Sequence, residues 1–238
     1  MVSRIKVLIK EALLKRMNIP YSRYGLPVSL LQHMQTVTPI TVIDVGAHRG
    51  NFVEVVSKYS NIGRAILAEP IPDLANFLGN KFKDKGYSVV NCALSDKSGQ
   101  VEFEINEETA TSSILSIKRN MSELAEVPLG SPKKIMCKTR TLDDVVNEAN
   151  LDRVDLLKID VQGAEHLVLK GGAETLKKTA MIWIEVSFKP LYENSSTFFE
   201  IYTMLNNSGF IFKSLEPVFH APNGELLQSD ALFVKRGE

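Results

Sequence analysis

Hydrophobic and polar positions change period repeatedly along the chain, and each change marks an element. Near the start, Ile5, Leu8, Ile9, Ala12, Leu13 and Arg16 recur at three- and four-residue intervals. This predicts an amphipathic helix ending before Pro20, Gly25 and Pro27. From residue 40, β-rich runs alternate with helical stretches: strand 40–44, helix 51–59, strand 64–68, helix 72–84 and strand 88–92. That alternation predicts βαβ units, hence an α/β fold with a parallel sheet. Residues 97–140 interrupt it, because 101–105 (VEFEI) alternate apolar with polar and 134–138 (KIMCK) form a second short run. An inserted antiparallel pair with a loop is expected there. Helix 141–149, strand 155–159, helix 164–178, strand 181–186, helix 196–207 and strands 210–213 and 231–235 complete the pattern. The expected organisation is a helical arm over 1–39 and one domain over 40–238.

Charge changes this picture only at the arm. The 238 residues carry 28 basic and 28 acidic side chains, so no overall field favours nucleic acid or an anionic membrane. Within 1–35, however, Arg4, Lys6, Lys10, Lys15, Arg16 and Arg23 face Glu11 alone, a local charge of +5. Two readings of the arm stay open. It packs on the main domain, or it docks through its apolar stripe on a membrane surface or another subunit. A homo-oligomer is expected. Cys92 and Cys137 have neither disulfide-framework nor zinc-site spacing and are expected to be reduced and buried. The chain shows no bilayer-length apolar run and no signal-peptide order at its start, so a cytoplasmic location is expected.

The candidate chemistry begins where strand 40–44 runs through a glycine turn into a helix. Such a turn presents free backbone N–H groups to a ligand at the strand's carboxyl end. A dinucleotide site needs G-x-G-x-x-G, but His48 and Asn51 stand at its second and third glycine positions. The spacing that fits is D-x-G-x-x-x-G, formed by Asp44, Gly46 and Gly50. It suits a smaller ligand with an ammonium that an acid can meet, as in S-adenosylmethionine. Glu69, at the end of the next strand, is placed to accept hydrogen bonds from an unphosphorylated ribose diol.

These segments, with 91–96 (NCALSD), 139–144 (TRTLDD) and above all 156–165 (LLKIDVQGAE) followed by 168–171 (VLKG), resemble the FkbM family of methyltransferases. The resemblance covers roughly residues 40–235. It implies a class I, Rossmann-like methyltransferase fold: a mostly parallel sheet with an antiparallel C-terminal strand and helices on both faces. It also implies S-adenosylmethionine as donor and methyl transfer to a hydroxyl, often on a sugar or polyketide-derived acceptor. By the same resemblance Asp44, Gly46, Ala47 and Gly50, with Asn51 following, contact the methionine part, Glu69 and Pro70 hold the ribose, and Ala93, Leu94 and Ser95 line the adenine end. Residues 111–114 (TSSI) would lie near the reaction mouth. Gln162 departs from the family, where glutamate is usual, and removes one acid from the acceptor side.

Methyl transfer to an alcohol needs an aligned oxygen and a group that takes its proton. Asp160, just before the Gly163 turn, ranks first as base and also borders the cofactor. Glu185, a carboxylate inside an apolar strand, and His48 in the glycine turn are the other candidates, while His166 is expected to face solvent. Asp160 and Glu185 together also suit Mg²⁺, although no third ligand is evident. The competing functions are a nicotinamide-dependent oxidoreductase and a non-catalytic module recruited through the basic arm.

Overall fold

A computed structural model describes residues 26–34, 39–118, 121 and 130–237. The amphipathic segment at 5–16 lies outside the described residues. The elements run α1 (Val28–Met34), β1 (Ile40–Val45), α2 (Asn51–Val56), β2 (Ile62–Ala68), α3 (Pro72–Lys81), β3 (Ser88–Val90), β4 (Ala93–Leu94), β5 (Gly99–Ile105) and β6 (Lys133–Arg140). They continue α4 (Leu142–Glu148), β7 (Val154–Ile159), α5 (Glu165–Lys170), α6 (Ala173–Lys177), β8 (Thr179–Ser187), α7 (Phe198–Asn207), β9 (Phe210–His220) and β10 (Leu226–Lys235).

Seven strands form the central sheet in the order β3-β2-β1-β7-β8-β10-β9. Neighbours are parallel from β3 to β8, and β10 runs antiparallel to both β8 and β9. The expected mostly parallel sheet with an antiparallel C-terminal strand is present. The inserted pair is present too: β5 and β6 are antiparallel, and with β4 they make a separate three-stranded sheet.

Strand side chains alternate between two cores, as the pleat requires. Ile43, Val45, Leu157, Ile159, Ile182 and Ile184 face α4 to α7, whereas Val42, Leu156, Met181 and Leu232 face α1 to α3. Helices therefore cover both faces. Leu30, Leu31 and Met34 of α1 are buried in the second core, so residues 26–34, grouped with the arm from sequence, pack into the domain.

The single helix expected over 164–178 is broken at Gly171 and Gly172, and packing explains why. A Cβ on Gly171 would lie 2.1 Å from the Ser95 carbonyl oxygen, and one on Gly172 would lie 2.7 Å from Leu142 Cδ2. The chain bends there to admit neighbouring segments. Asp143 then caps the new start, its carboxylate accepting the Glu174 N–H at 3.1 Å and the Thr175 N–H at 2.7 Å. Strands β9 and β10 are much longer than the runs 210–213 and 231–235, because their mutual pairing spans Phe210–His220 and Leu226–Lys235. Among the described residues, no helix is long and apolar enough to cross a membrane.

Candidate active site

The carboxyl ends of β1, β2 and β7 meet at the glycine turn. Gly46 has φ +76°, and a Cβ there would lie 1.9 Å from the Asp160 carbonyl oxygen, so the turn and the end of β7 approach as closely as backbones allow. The Gly46 and Ala47 N–H groups donate to the Ala68 carbonyl at 3.0 and 3.1 Å, joining the turn to β2.

Alternation along β1 and β7 places Asp44, Lys158 and Asp160 on one face. Asp44 is fully enclosed and pairs with Lys158 at 3.4 Å. The Lys158 ammonium also meets Asp160 Oδ2 at 3.2 Å and donates to the Gly46 carbonyl at 3.0 Å. Asp44 was expected to meet a ligand's ammonium, yet the ammonium it meets here belongs to Lys158. Burial pushes the Asp44 pKa up against the pull of Lys158. Burial also opposes the charge on Lys158, but Asp160 and Asp44 together outweigh it and hold its pKa above the usual value. Lys158 had no role in the sequence reading. The signal available was its parity: two residues before Asp160 in a strand, it shares that side chain's face.

Glu69 is held by the backbone. Its Oε2 accepts the His48 N–H at 2.8 Å and its Oε1 the Ile71 N–H at 2.9 Å, while Asn91 Nδ2 donates to the Glu69 carbonyl at 2.8 Å. Burial raises its pKa, and these two backbone bonds pull it back. The carboxylate is thus fixed with lone pairs left for a ligand.

These groups border a cleft of about 550 Å³. Gly46, His48, Glu69, Pro70, Ala93, Leu94, Asp160 and Gln162 line it, together with Phe103, Thr109, Ser112 and Ile114 from the insertion. Other sequence candidates shape the cleft from behind. Ala47 is buried in the core, and a Cβ on Gly50 would strike the Phe82 ring at 2.5 Å. Asn51 is exposed at the start of α2, and Ser95 backs onto Gly171. Of 111–114, Ser112 and Ile114 face the cleft, while Ser113 Oγ donates to the Val161 carbonyl at 3.1 Å and anchors the segment.

Gln162 organises the acceptor side. Its Nε2 donates to Asp160 Oδ1 at 2.8 Å and to Glu185 Oε2 at 3.0 Å, and its Oε1 accepts the Tyr192 hydroxyl at 2.9 Å. Gln228 Nε2 adds a second donor to Glu185 Oε2 at 2.9 Å. Burial first, then the carboxylates of Asp160, Glu165 and Asp230, push the Glu185 pKa well above the usual range. The two carboxylates that could also have suited Mg²⁺ do not make a metal site: an amide donor sits between them, and among the described residues no three His, Cys, Asp or Glu side chains are grouped to hold a metal.

His48 lines the cleft with Nε2 bonded to Thr109 Oγ1 at 2.8 Å, and burial, then Arg49, lower its pKa. His166, expected in solvent, is half-buried with Nδ1 enclosed. Cys92 and Cys137 are free and buried, as expected. Two further groups went unread in the sequence. Glu165 Oε1 accepts the Val161 and Gly163 N–H groups, both at 3.1 Å, and Tyr192 ties Gln162 to the Thr111 carbonyl at 3.0 Å. Tyr192 lies in a loop with no periodic signal.

The family model for the methyltransferase FkbM domain matches residues 44–212, which takes in the glycine turn, Glu69 and the Asp160–Glu185 pair. The chain belongs to the FkbM methyltransferase family. The 2-O-methyltransferase NoeI of Sinorhizobium fredii is 33% identical over 177 residues, covering 70% of this chain and 69% of its own. The methyltransferase sdnD of Sordaria araneosa is 26% identical over 153 residues, covering 55% of this chain and 59% of its own. Among solved structures, a methyltransferase FkbM from Methylobacillus flagellatus aligns with a TM-score of 0.52 at 16% identity. That alignment covers 88% of this chain and 48% of the other, so this chain spans about half its length, and the likeness supports the fold. As an FkbM methyltransferase the protein is an enzyme whose donor is S-adenosylmethionine. Membership sets aside the nicotinamide oxidoreductase.

Proposed function

We propose that this FkbM methyltransferase methylates a hydroxyl on a small sugar-like or polyketide-derived acceptor. The observation that carries the reading is a single cleft with backbone-held Glu69 at one end and Asp160 at the other. The residues fit the donor, because Gly46 lines the cleft in a turn packed tightly on the end of β7, and Glu69, held by two backbone N–H groups, keeps acceptor capacity for a ribose diol. Pro70, Ala93 and Leu94 give the adenine end an apolar wall, and Gly46 with Asp160 borders the methionine part.

S-adenosylmethionine, when bound, supplies a methyl group on a sulfonium. Asp160 receives the acceptor's hydroxyl proton as the oxygen–methyl bond forms and the sulfur–methyl bond breaks. Lys158 and Gln162 fix the Asp160 carboxylate from two sides. Glu185, buried and held by the Gln162 and Gln228 amides, shares the Gln162 donor with Asp160. His48, neutral and tied to Thr109, holds the insertion over the cleft. The printed activity of NoeI, a 2-O-methyltransferase, supports oxygen as the target. A cytoplasmic setting and a docking or oligomer-forming role for the basic arm belong to the same proposal.

Calorimetry tests the assignments. Glu69→Ala is expected to weaken S-adenosylmethionine binding by about 1.5–3 kcal/mol. Asp160→Asn is expected to keep that binding within a few-fold and lower kcat by about 10²–10⁴. Unchanged affinity in the first variant removes Glu69 from the ribose, and unchanged kcat in the second removes Asp160 as the base.

A further inference from the structure

Beyond β7 the chain takes two left-handed residues in succession, Gln162 at φ +57° and Gly163 at φ +96°. A residue with a side chain rarely adopts that backbone, and at Gln162 it persists because the neighbours hold it. Glu165 Oε1 accepts the N–H groups on either side of Gln162, those of Val161 and Gly163. Gly163 in turn leaves room for Tyr192: a Cβ on the glycine would lie 3.0 Å from both Tyr192 Cβ and Tyr192 Cδ2. Tyr192 is buried with Ile117, Leu191, Ala221 and Leu227, and it does not border the cofactor cleft.

The Tyr192 hydroxyl carries one proton and faces two acceptors, Gln162 Oε1 at 2.9 Å and the Thr111 carbonyl at 3.0 Å. The Thr111 carbonyl also accepts Asn106 Nδ2 at 2.8 Å, so Gln162 is the partner that depends on Tyr192. Both amide protons of Gln162 go to carboxylates, Asp160 Oδ1 at 2.8 Å and Glu185 Oε2 at 3.0 Å. The reverse amide orientation would turn Oε1 towards those same carboxylates, so one orientation satisfies every partner. Asp160 is gripped on both oxygens, by Gln162 on Oδ1 and by Lys158 on Oδ2. Without the Gln162 bond, this partly open carboxylate is free to turn about Lys158.

We infer that Tyr192 is a positioning residue for methyl transfer: from behind the cleft wall its hydroxyl fixes the Gln162 amide, and the amide fixes the Asp160 carboxylate towards the methyl group. The inference rests on the reading of Asp160 as the group that faces the methyl. The loop that carries Tyr192 also holds the insertion. Lys118 N–H donates to the Leu191 carbonyl and Glu193 N–H to the Ser116 carbonyl, both at 2.8 Å. The insertion that walls the cleft and the carboxylate that faces it are thus tied to one side chain.

Two cofactor analogues read this arrangement in the full-length protein without an acceptor. Sinefungin carries an ammonium where S-adenosylmethionine carries its transferable methyl, and S-adenosylhomocysteine carries no group there. The ratio of their affinities in calorimetry therefore reports the carboxylate at that point and cancels general changes in the cleft. Asp160→Asn is expected to lower the advantage of sinefungin by about tenfold, the size of a lost charge-assisted hydrogen bond. Tyr192→Phe keeps the buried ring and is expected to lower it by about threefold, with S-adenosylhomocysteine affinity held within about twofold and no further loss in the Asp160→Asn background. Gln162→Met removes the same link from its other end and is expected to lower the ratio at least as far as Tyr192→Phe. The positioning role is overturned if either of these variants leaves the ratio unchanged, if Tyr192→Phe weakens both ligands alike, or if it lowers the ratio further in Asp160→Asn. Failure of the underlying reading looks different: Asp160→Asn itself then leaves the ratio unchanged, and the base assignment and the inference fall together.

Discussion

Carboxylates in this site are separated by what each one touches. Asp160 is partly open and fixed by Lys158 and Gln162, Glu185 is buried under two amide donors, and Glu165 is buried against backbone N–H groups. Burial outweighs those backbone bonds and pushes the Glu165 pKa up to about 7 from its usual 4.5. The folded state then keeps a proton that the unfolded chain has released between those values. The stabilisation is complete below about pH 4.5 and is lost as pH rises through 7. Glu165→Gln retains an oxygen for both N–H groups and cannot titrate. Between pH 5 and 8, wild-type stability is expected to fall relative to Glu165→Gln by about 3 kcal/mol, read from urea unfolding at each pH. His48 and His166, whose pKa values burial lowers, act in the opposite sense at the acidic end, so the difference between the two proteins is the informative quantity. A constant difference across the range would show that Glu165 is ionised throughout.

At the scale of elements, glycines with different surroundings give opposite expectations. Gly171 separates α5 from α6 and lets them lie against Ser95, which follows the adenine-side strand β4. Gly171→Ala forces the Ser95 segment outward and is expected to destabilise the protein by about 1–3 kcal/mol, with weaker cofactor binding as a secondary effect. Gly79 sits within α3 with nothing inside 4 Å of an added Cβ. Gly79→Ala is expected to stabilise by about 0.5–1 kcal/mol through lower chain entropy alone. Urea midpoints at constant m-value check both signs. Equal shifts in the two variants would mean that the contact at Gly171 does not set the helix break.

Over the whole molecule, α1 decides where the domain begins. Leu30 and Met34 are fully enclosed against β1 and α2, and Ser29 Oγ meets Ser214 Oγ of β9 at 2.7 Å. Burying a side chain of this size contributes about 1.5–3 kcal/mol. Removing residues 1–34 is therefore expected to leave the protein at least ~4 kcal/mol less stable than removing residues 1–25, measured by chemical unfolding. Equal stabilities would detach α1 from the core. Light scattering and sedimentation with anionic vesicles, comparing the full chain with the protein lacking residues 1–25, separate the subunit-contact and membrane-surface readings of the arm.

By itself the sequence determined the succession of strands and helices, the inserted pair, the glycine turn and the acid at the end of β2. Each is written in local spacing: period two or period three to four, a glycine where the backbone turns, a carboxylate where a strand stops. Tertiary structure alone decided that Lys158 pairs with Asp44, that Gln162 bridges Asp160 to Glu185, that α1 joins the core, and that residues from 103–114 line the cofactor cleft. Those outcomes depend on register between strands more than a hundred residues apart, and on how burial shifts each charge once the strands are aligned. Neither quantity exists in the chain before it folds.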